Sequence, residues 1–151
     1  MILETYIFTK FVTALQPRLI GNNMKTRENE KLRLVVMLEA ERWKKEADWK
    51  NLEEKMKILL FKILSENPQN LSAHINLAAV YADAGDYEKA LHYLEKVKKA
   101  GTDDKNFYLN LGYVMVNLKY PEDEYRKYLD LAKDKIANPL TFEAYFDPHA
   151  H

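Results

Sequence analysis

Cysteine is absent from this 151-residue chain, which excludes disulfide staples and thiolate zinc sites and leaves the redox compartment undecided. Glycine is scarce, with 4 residues. None of them builds a glycine-rich phosphate loop or a G-x-S-x-G elbow, and H-E-x-x-H is missing too. No nucleophile, acid–base pair or metal set is left to carry catalysis, so a non-enzymatic protein without cofactor or metal is expected. Net charge is also lacking. The 23 basic and 23 acidic side chains cancel, and nothing in that balance favours nucleic acid or an anionic membrane surface. Long hydrophobic runs are missing as well. Residues 1–20 are apolar in places, but Glu4, Lys10 and Arg18 interrupt them and no basic residue precedes the apolar part. That layout suits neither a bilayer span nor a signal peptide, so no membrane insertion is expected and a cytoplasmic protein is the default.

What is present is helical periodicity from end to end. Apolar residues make up 47% and charged residues 30%, an ordinary globular balance for a single domain over 1–151. In 1–23, Ile2, Leu3, Tyr6, Ile7, Phe11, Leu15 and Leu19 recur at helical spacing before Gly21-Asn22-Asn23, a capping segment for whatever follows. Residues 26–68 hold two stripes, Leu32, Val36, Ala40, Trp43, Ala47 and then Trp49, Leu52, Met56, Leu59, Ile63, divided by Asp48 as an N-cap and stopped by Asn67-Pro68. Residues 71–104 form a helix, an Ala84-Gly85-Asp86 turn and a second helix, with Leu77, Ala78 and Tyr81 answered by Tyr87, Ala90, Leu94 and Val97.

This stretch resembles a tetratricopeptide repeat, whose pattern W-x2-L-G-x2-Y, A-x3-F, P recurs about every 34 residues. His74 stands in the Trp place, Ala78 in the Gly place and Leu94 in the Phe place. Residues 105–137 repeat it in register: His74 recurs as Tyr108, Asn76-Leu77 as Asn110-Leu111, Ala78 as Gly112 and Tyr81 as Met115. The turn departs, with Lys119-Tyr120-Pro121 replacing Ala-Gly-Asp, and Tyr125, Tyr128, Leu131 and Ala132 continue the inward stripe. Thr102 or Asp103 is expected to cap the third repeat. Residues 26–68 resemble a degenerate first repeat, since Asp48-Trp49 precedes Asp86-Tyr87 by 38 positions. In 138–151, Thr141 to Phe146 reads as the first turns of one more helix before a DPHAH tail. That stub either caps the last repeat or starts a further unit of a longer array, and the cap is preferred because solenoid ends need covering.

The resemblance implies an all-α, right-handed stack of about three antiparallel helix hairpins with terminal capping helices. It also implies a concave groove, lined by the first helix of each repeat, that binds another protein as a peptide or helix. Carried over by register, the groove side holds Ser72, Ile75, Asn76, Ala79, Ala82 and Asp83, then Asn106, Leu109, Asn110, Tyr113, Val116 and Asn117. Asn76 and Asn110 in register suggest a ladder of amides for a bound backbone, and Asn110 with Tyr113 is expected to stand open to solvent. The helix 106–118 is apolar nearly all round, so something should lie on it: the tail, the N-terminal segment or a partner. A scaffold or adaptor is the leading expectation. A small chaperone that shields an apolar segment and self-associates is the alternative, favoured by the apolar Leu109, Tyr113 and Val116. The histidines point to no metal: His74 fills a core aromatic slot, His92 lies between Leu91 and Tyr93, and His149 and His151 lack further ligands.

Overall fold

Acid and amide side chains start most of the helices. In a computed structural model, which describes residues 24–145, there are six helices among the described residues and no strand. They are α1 (Met24–Glu41), α2 (Trp49–Glu66), α3 (Leu71–Asp83), α4 (Tyr87–Ala100), α5 (Lys105–Asn117) and α6 (Glu122–Ala132). Asp48, Asn70 and Asp86 cap α2, α3 and α4, each accepting a backbone N–H three residues on at 2.9–3.2 Å. The cap of α5 is Asp104, rather than Thr102 or Asp103, and it accepts from Asn106 N at 3.0 Å. Thr102 Oγ1 instead accepts the N–H of Asp104.

Each helix packs on its chain neighbours, and α3 also packs on α5. That pairing makes hairpins α1–α2, α3–α4 and α5–α6 and stacks them into an all-α helical repeat. The inter-helix stripes are buried as periodicity predicts: Leu52, Met56 and Ile63 in α2, Leu77 and Ala78 in α3, Ala90, Leu94 and Val97 in α4, and Leu111 in α5. Fully burying each large apolar side chain is worth about 1.5–3 kcal/mol, which places the fold's stability in this seam. The α1 stripe is different from expectation. The helix ends at Glu41, so Trp43 falls in the following turn and is exposed, while Leu32 and Val35 take the core. Trp49, at the first position of α2, is also partly exposed rather than buried in the core, and so is Leu131 in α6. Leu129 takes the inward place in α6, against Gly112.

The turn after α5 keeps the geometry of the turn after α3 despite its different residues. Gly85 has φ +84° and Lys119 has φ +64°, so the 34-residue register holds through the turn and Lys119 is the counterpart of Gly85 rather than of Ala84. Asp86 N donates to Tyr81 O at 2.9 Å, and Tyr120 N to Met115 O at 3.0 Å, so the same helix-ending bond recurs. Lysine adopts the left-handed conformation at a cost that glycine avoids.

Gly112 is small for a reason. A Cβ built there would lie 2.3 Å from Leu129 Cδ2, so α5 and α6 approach each other through its missing side chain. Gly112→Leu is expected to lower stability by about 1–3 kcal/mol by overpacking, measured by urea unfolding. An unchanged midpoint would mean that Leu129 swings clear.

His74 is buried in the aromatic slot of α3, with its ring 5.9 Å from that of Tyr93 and Nε2 2.8 Å from Pro68 O. Burial lowers its pKa below the ordinary 6.5, and the Pro68 carbonyl offsets this in part. Because the folded protein binds this proton less readily than the unfolded chain, the stability tied to neutral His74 is complete above about pH 6.5 and drains as pH falls below it. Thermal melts between about pH 7 and pH 5 should show a smaller acid loss for His74→Phe than for the native chain.

The expected capping helix within 1–23 lies outside the described residues. No described helix is long and apolar enough to cross a membrane.

Candidate functional site

One side of the stack presents polar side chains from α3 and α5, and it is covered by the chain itself. After α6 the chain turns back past the start of α5, and residues 138–145 run across this face of α3 and α5. Residues 141–145 carry no helix, so the expected helical stub is corrected: this segment lies on α3 and α5 as open chain. The cause is competition for its backbone. A helix would satisfy those N–H and C=O groups internally, whereas here side chains on the stack satisfy them.

Asp104 makes the entry. Its Oδ1 accepts from Asn138 N at 3.0 Å while capping α5, and its Oδ2 accepts from Thr141 Oγ1 at 2.7 Å. Asn106 Nδ2 donates to the same hydroxyl at 3.0 Å. Lys105 N donates to Ile136 O at 3.1 Å just before. One carboxylate thus fixes both the helix start and the path of the returning chain.

Asn76 and Asn110 make the centre. Asn76 Nδ2 donates to Leu140 O at 2.8 Å and its Oδ1 accepts from Phe142 N at 3.1 Å. Asn110 repeats the arrangement two residues on, donating to Phe142 O at 3.1 Å and accepting from Ala144 N at 2.7 Å. Each amide therefore spans a C=O and the N–H two residues later, which is the period of extended chain. Both asparagines have no exposed surface. The expectation that Asn110 stands open to solvent is corrected, because the chain's own backbone covers it.

The far end is built around a buried ion pair. Arg42, from the turn after α1, is bonded to Asp83 at the end of α3, and their side chains are 3% and 6% exposed. Asp83 Oδ1 accepts from Tyr145 N at 2.6 Å. Burial raises the Asp83 carboxyl above its ordinary pKa, and the Arg42 guanidinium pulls it back without cancelling the rise. The guanidinium carbon lies 5.2 Å, 5.4 Å and 5.6 Å from the ring centroids of Trp43, Trp49 and Phe142, within cation–π reach. Tyr145 packs beside both tryptophans, with centroids 5.6 Å and 6.2 Å away. Phe142 and Ala144 are buried, and Glu143 points outward, where Tyr113 Oη donates to its carboxylate at 2.6 Å. Burial, together with that carboxylate, pushes the Tyr113 hydroxyl pKa upward.

Of the expected groove residues, Asn76, Asp83, Asn106, Asn110 and Tyr113 bond the segment directly. Ile75, Ala79 and Ala82 are buried in α3. Leu109 and Val116 are half-buried in α5, Ser72 is half-buried in α3, and Asn117 Nδ2 turns back to Tyr113 O at 2.8 Å. Sequence reasoning missed Asp104, Arg42, Trp43 and Trp49. The two tryptophans fall on core stripes by spacing alone, and nothing local singles out Arg42 among Glu39, Glu41, Lys44 and Lys45. The signal available was Asp83, an acid at a groove position with no local basic partner. Among the described residues no group of three or more His, Cys, Asp or Glu side chains could hold a metal.

Residues 59–111 match the tetratricopeptide repeat family model, from the middle of α2 into α5. No curated protein and no solved structure matches the chain.

Proposed function

From a chain that carries tetratricopeptide-repeat sequence over 59–111, we propose a non-enzymatic interaction module whose concave groove holds an extended segment of another protein. The repeat by itself points to protein–protein interaction. The observation that supports the groove is the paired clamp of Asn76 and Asn110 on the backbone of residues 140–144. Those four bonds address only main-chain atoms, so the ladder accepts an extended peptide whatever its side chains, and the flanking subsites supply selectivity. An amide suits this work because it offers a donor and an acceptor from one planar group.

The alternative of a chaperone rested on Leu109, Tyr113 and Val116. Tyr113 is engaged by Glu143 of the returning segment, and the apolar face is that much smaller, so the peptide-groove reading is adopted. The test is selection from a displayed random-peptide library by the full chain. Peptides should be retained by the native protein and lost by Asn76→Ala/Asn110→Ala at a temperature where melts show both folded. Retention unaffected by the double substitution would move the binding surface elsewhere.

A further inference from the structure

We propose that residues 138–145 are the groove's resident ligand, and that the partner is a protein bearing an extended segment of the same chemistry, Thr-Phe-x-Ala-aromatic, which displaces them. This rests on the groove reading above and specifies its ligand and its regulation.

The returning segment makes its contacts in the manner of a bound peptide. Its backbone is held by Asn76, Asn110 and Asp83 rather than by its own secondary structure. Its side chains enter distinct subsites. The Thr141 hydroxyl sits between Asp104 Oδ2 and Asn106 Nδ2, a site that requires a group able to donate and accept at once. Phe142 is 5% exposed, with its ring against the Arg42 guanidinium. Ala144 is 2% exposed, and a long or charged side chain there would have no room. Position 143 is exposed and meets the groove only at its edge, through the Tyr113 hydroxyl, so it is the least restricted position and favours an acceptor. Tyr145 lies against Trp43 and Trp49, so an aromatic ring is favoured there.

Displacement is feasible because of what lies underneath. Phe142 and Ala144 join the edge of the apolar core, but the seam between the helices is filled by the helices' own Leu77, Leu94, Val97 and Leu111, and the groups that meet the segment's backbone and hydroxyl are Asn76, Asn110, Asn106, Asp104 and Asp83. Amides and carboxylates can exchange a peptide backbone for water without losing their hydrogen bonds. The tether sets the threshold. A ligand joined by a short linker competes at an effective concentration in the millimolar range, so an incoming segment binds the native chain more weakly than it would bind an open groove.

The experiment uses the full chain and a labelled synthetic peptide spanning residues 138–146, Asn-Pro-Leu-Thr-Phe-Glu-Ala-Tyr-Phe, read by fluorescence polarisation. Phe142→Lys/Ala144→Lys in the chain sets one ammonium against the Arg42 guanidinium and a second long side chain in the closed Ala144 subsite, and frees the groove. The peptide should bind this variant roughly tenfold more tightly than the native chain, or better. Adding Asn76→Ala/Asn110→Ala to the variant should abolish that binding, and a peptide carrying the same two lysines should not bind. The chain's 2 tryptophans, Trp43 and Trp49, both touch Tyr145, so tryptophan emission should change in the variant and return when peptide is added.

Equal affinity for native and variant chains would overturn the proposal, and so would a variant that no longer melts cooperatively, since the segment would then be an inseparable part of the core. A native protein that elutes as a dimer with exchanged segments would overturn it too. The groove reading fails separately. If the opened variant ignores the self-peptide yet selects other library sequences in an Asn76- and Asn110-dependent way, the ligand assignment falls and the groove stands. If it selects nothing, both fall.

Discussion

Arg42→Ala is expected to lower the free energy of unfolding by about 3–5 kcal/mol, because it strands the buried Asp83 carboxylate without its partner. Arg42 also fills the space between Trp43, Trp49 and Phe142, so the same change opens a void under the returning segment. Chemical denaturation at neutral pH is the measurement. The pH dependence gives a second check. Asp83 already sits above its ordinary pKa through burial, and losing the guanidinium raises it further. The folded variant then takes up this proton more readily than its unfolded chain does, so its stability falls as pH rises through the carboxylate range. The deficit relative to the native chain should therefore shrink when the comparison is repeated near about pH 4. A loss under about 1 kcal/mol, the scale of a surface pair, would mean that the ion pair is open to water.

The second large effect is expected from Asn76→Ala/Asn110→Ala. It removes four hydrogen bonds to the backbone of residues 140–144. At about 0.5–1.5 kcal/mol each, the loss should approach about 2–4 kcal/mol, towards the low end because the freed segment regains water. The sharper signature is local. Amide hydrogen exchange at Phe142 and Ala144 should rise to that of open chain, while Leu77, Leu94 and Leu111 stay protected by their unchanged packing. If Phe142 and Ala144 remain protected, side-chain burial and not the amide ladder holds the segment. If Leu77 and Leu111 lose protection with them, the segment is part of the cooperative core.

Both predictions concern residues that were unequally legible from the chain alone. The sequence by itself determined the helices and their stacking. Leu77, Ala78, Tyr81, Leu94 and Leu111 recur at offsets that only amphipathic helices satisfy, and Asp48 and Asp86 mark helix starts through local bonds three residues away. It also determined that Asn76 and Asn110 share a face, because a 34-residue period carries each position onto its counterpart. Such facts depend on neighbours in sequence, or on a repeat that turns distant residues into equivalents.

Only the tertiary structure decided what lies on that face. The path of residues 138–145 is set by Asp104, Asn76, Asn110 and Asp83, tens of residues away, and no local propensity of Thr141 to Tyr145 reveals that their backbone bonds are made by side chains. Read locally, those residues look like a helix start. Trp43 and Trp49 show the same limit from the other side. Their spacing suits a core stripe, but α1 ends at Glu41 and the turn that follows swings Trp43 outward beside Trp49 and Tyr145. Periodicity places a residue on a helix face; whether that face meets a helix, a returning chain or water is settled by the packing of the whole chain, where burial and backbone hydrogen bonding are satisfied together.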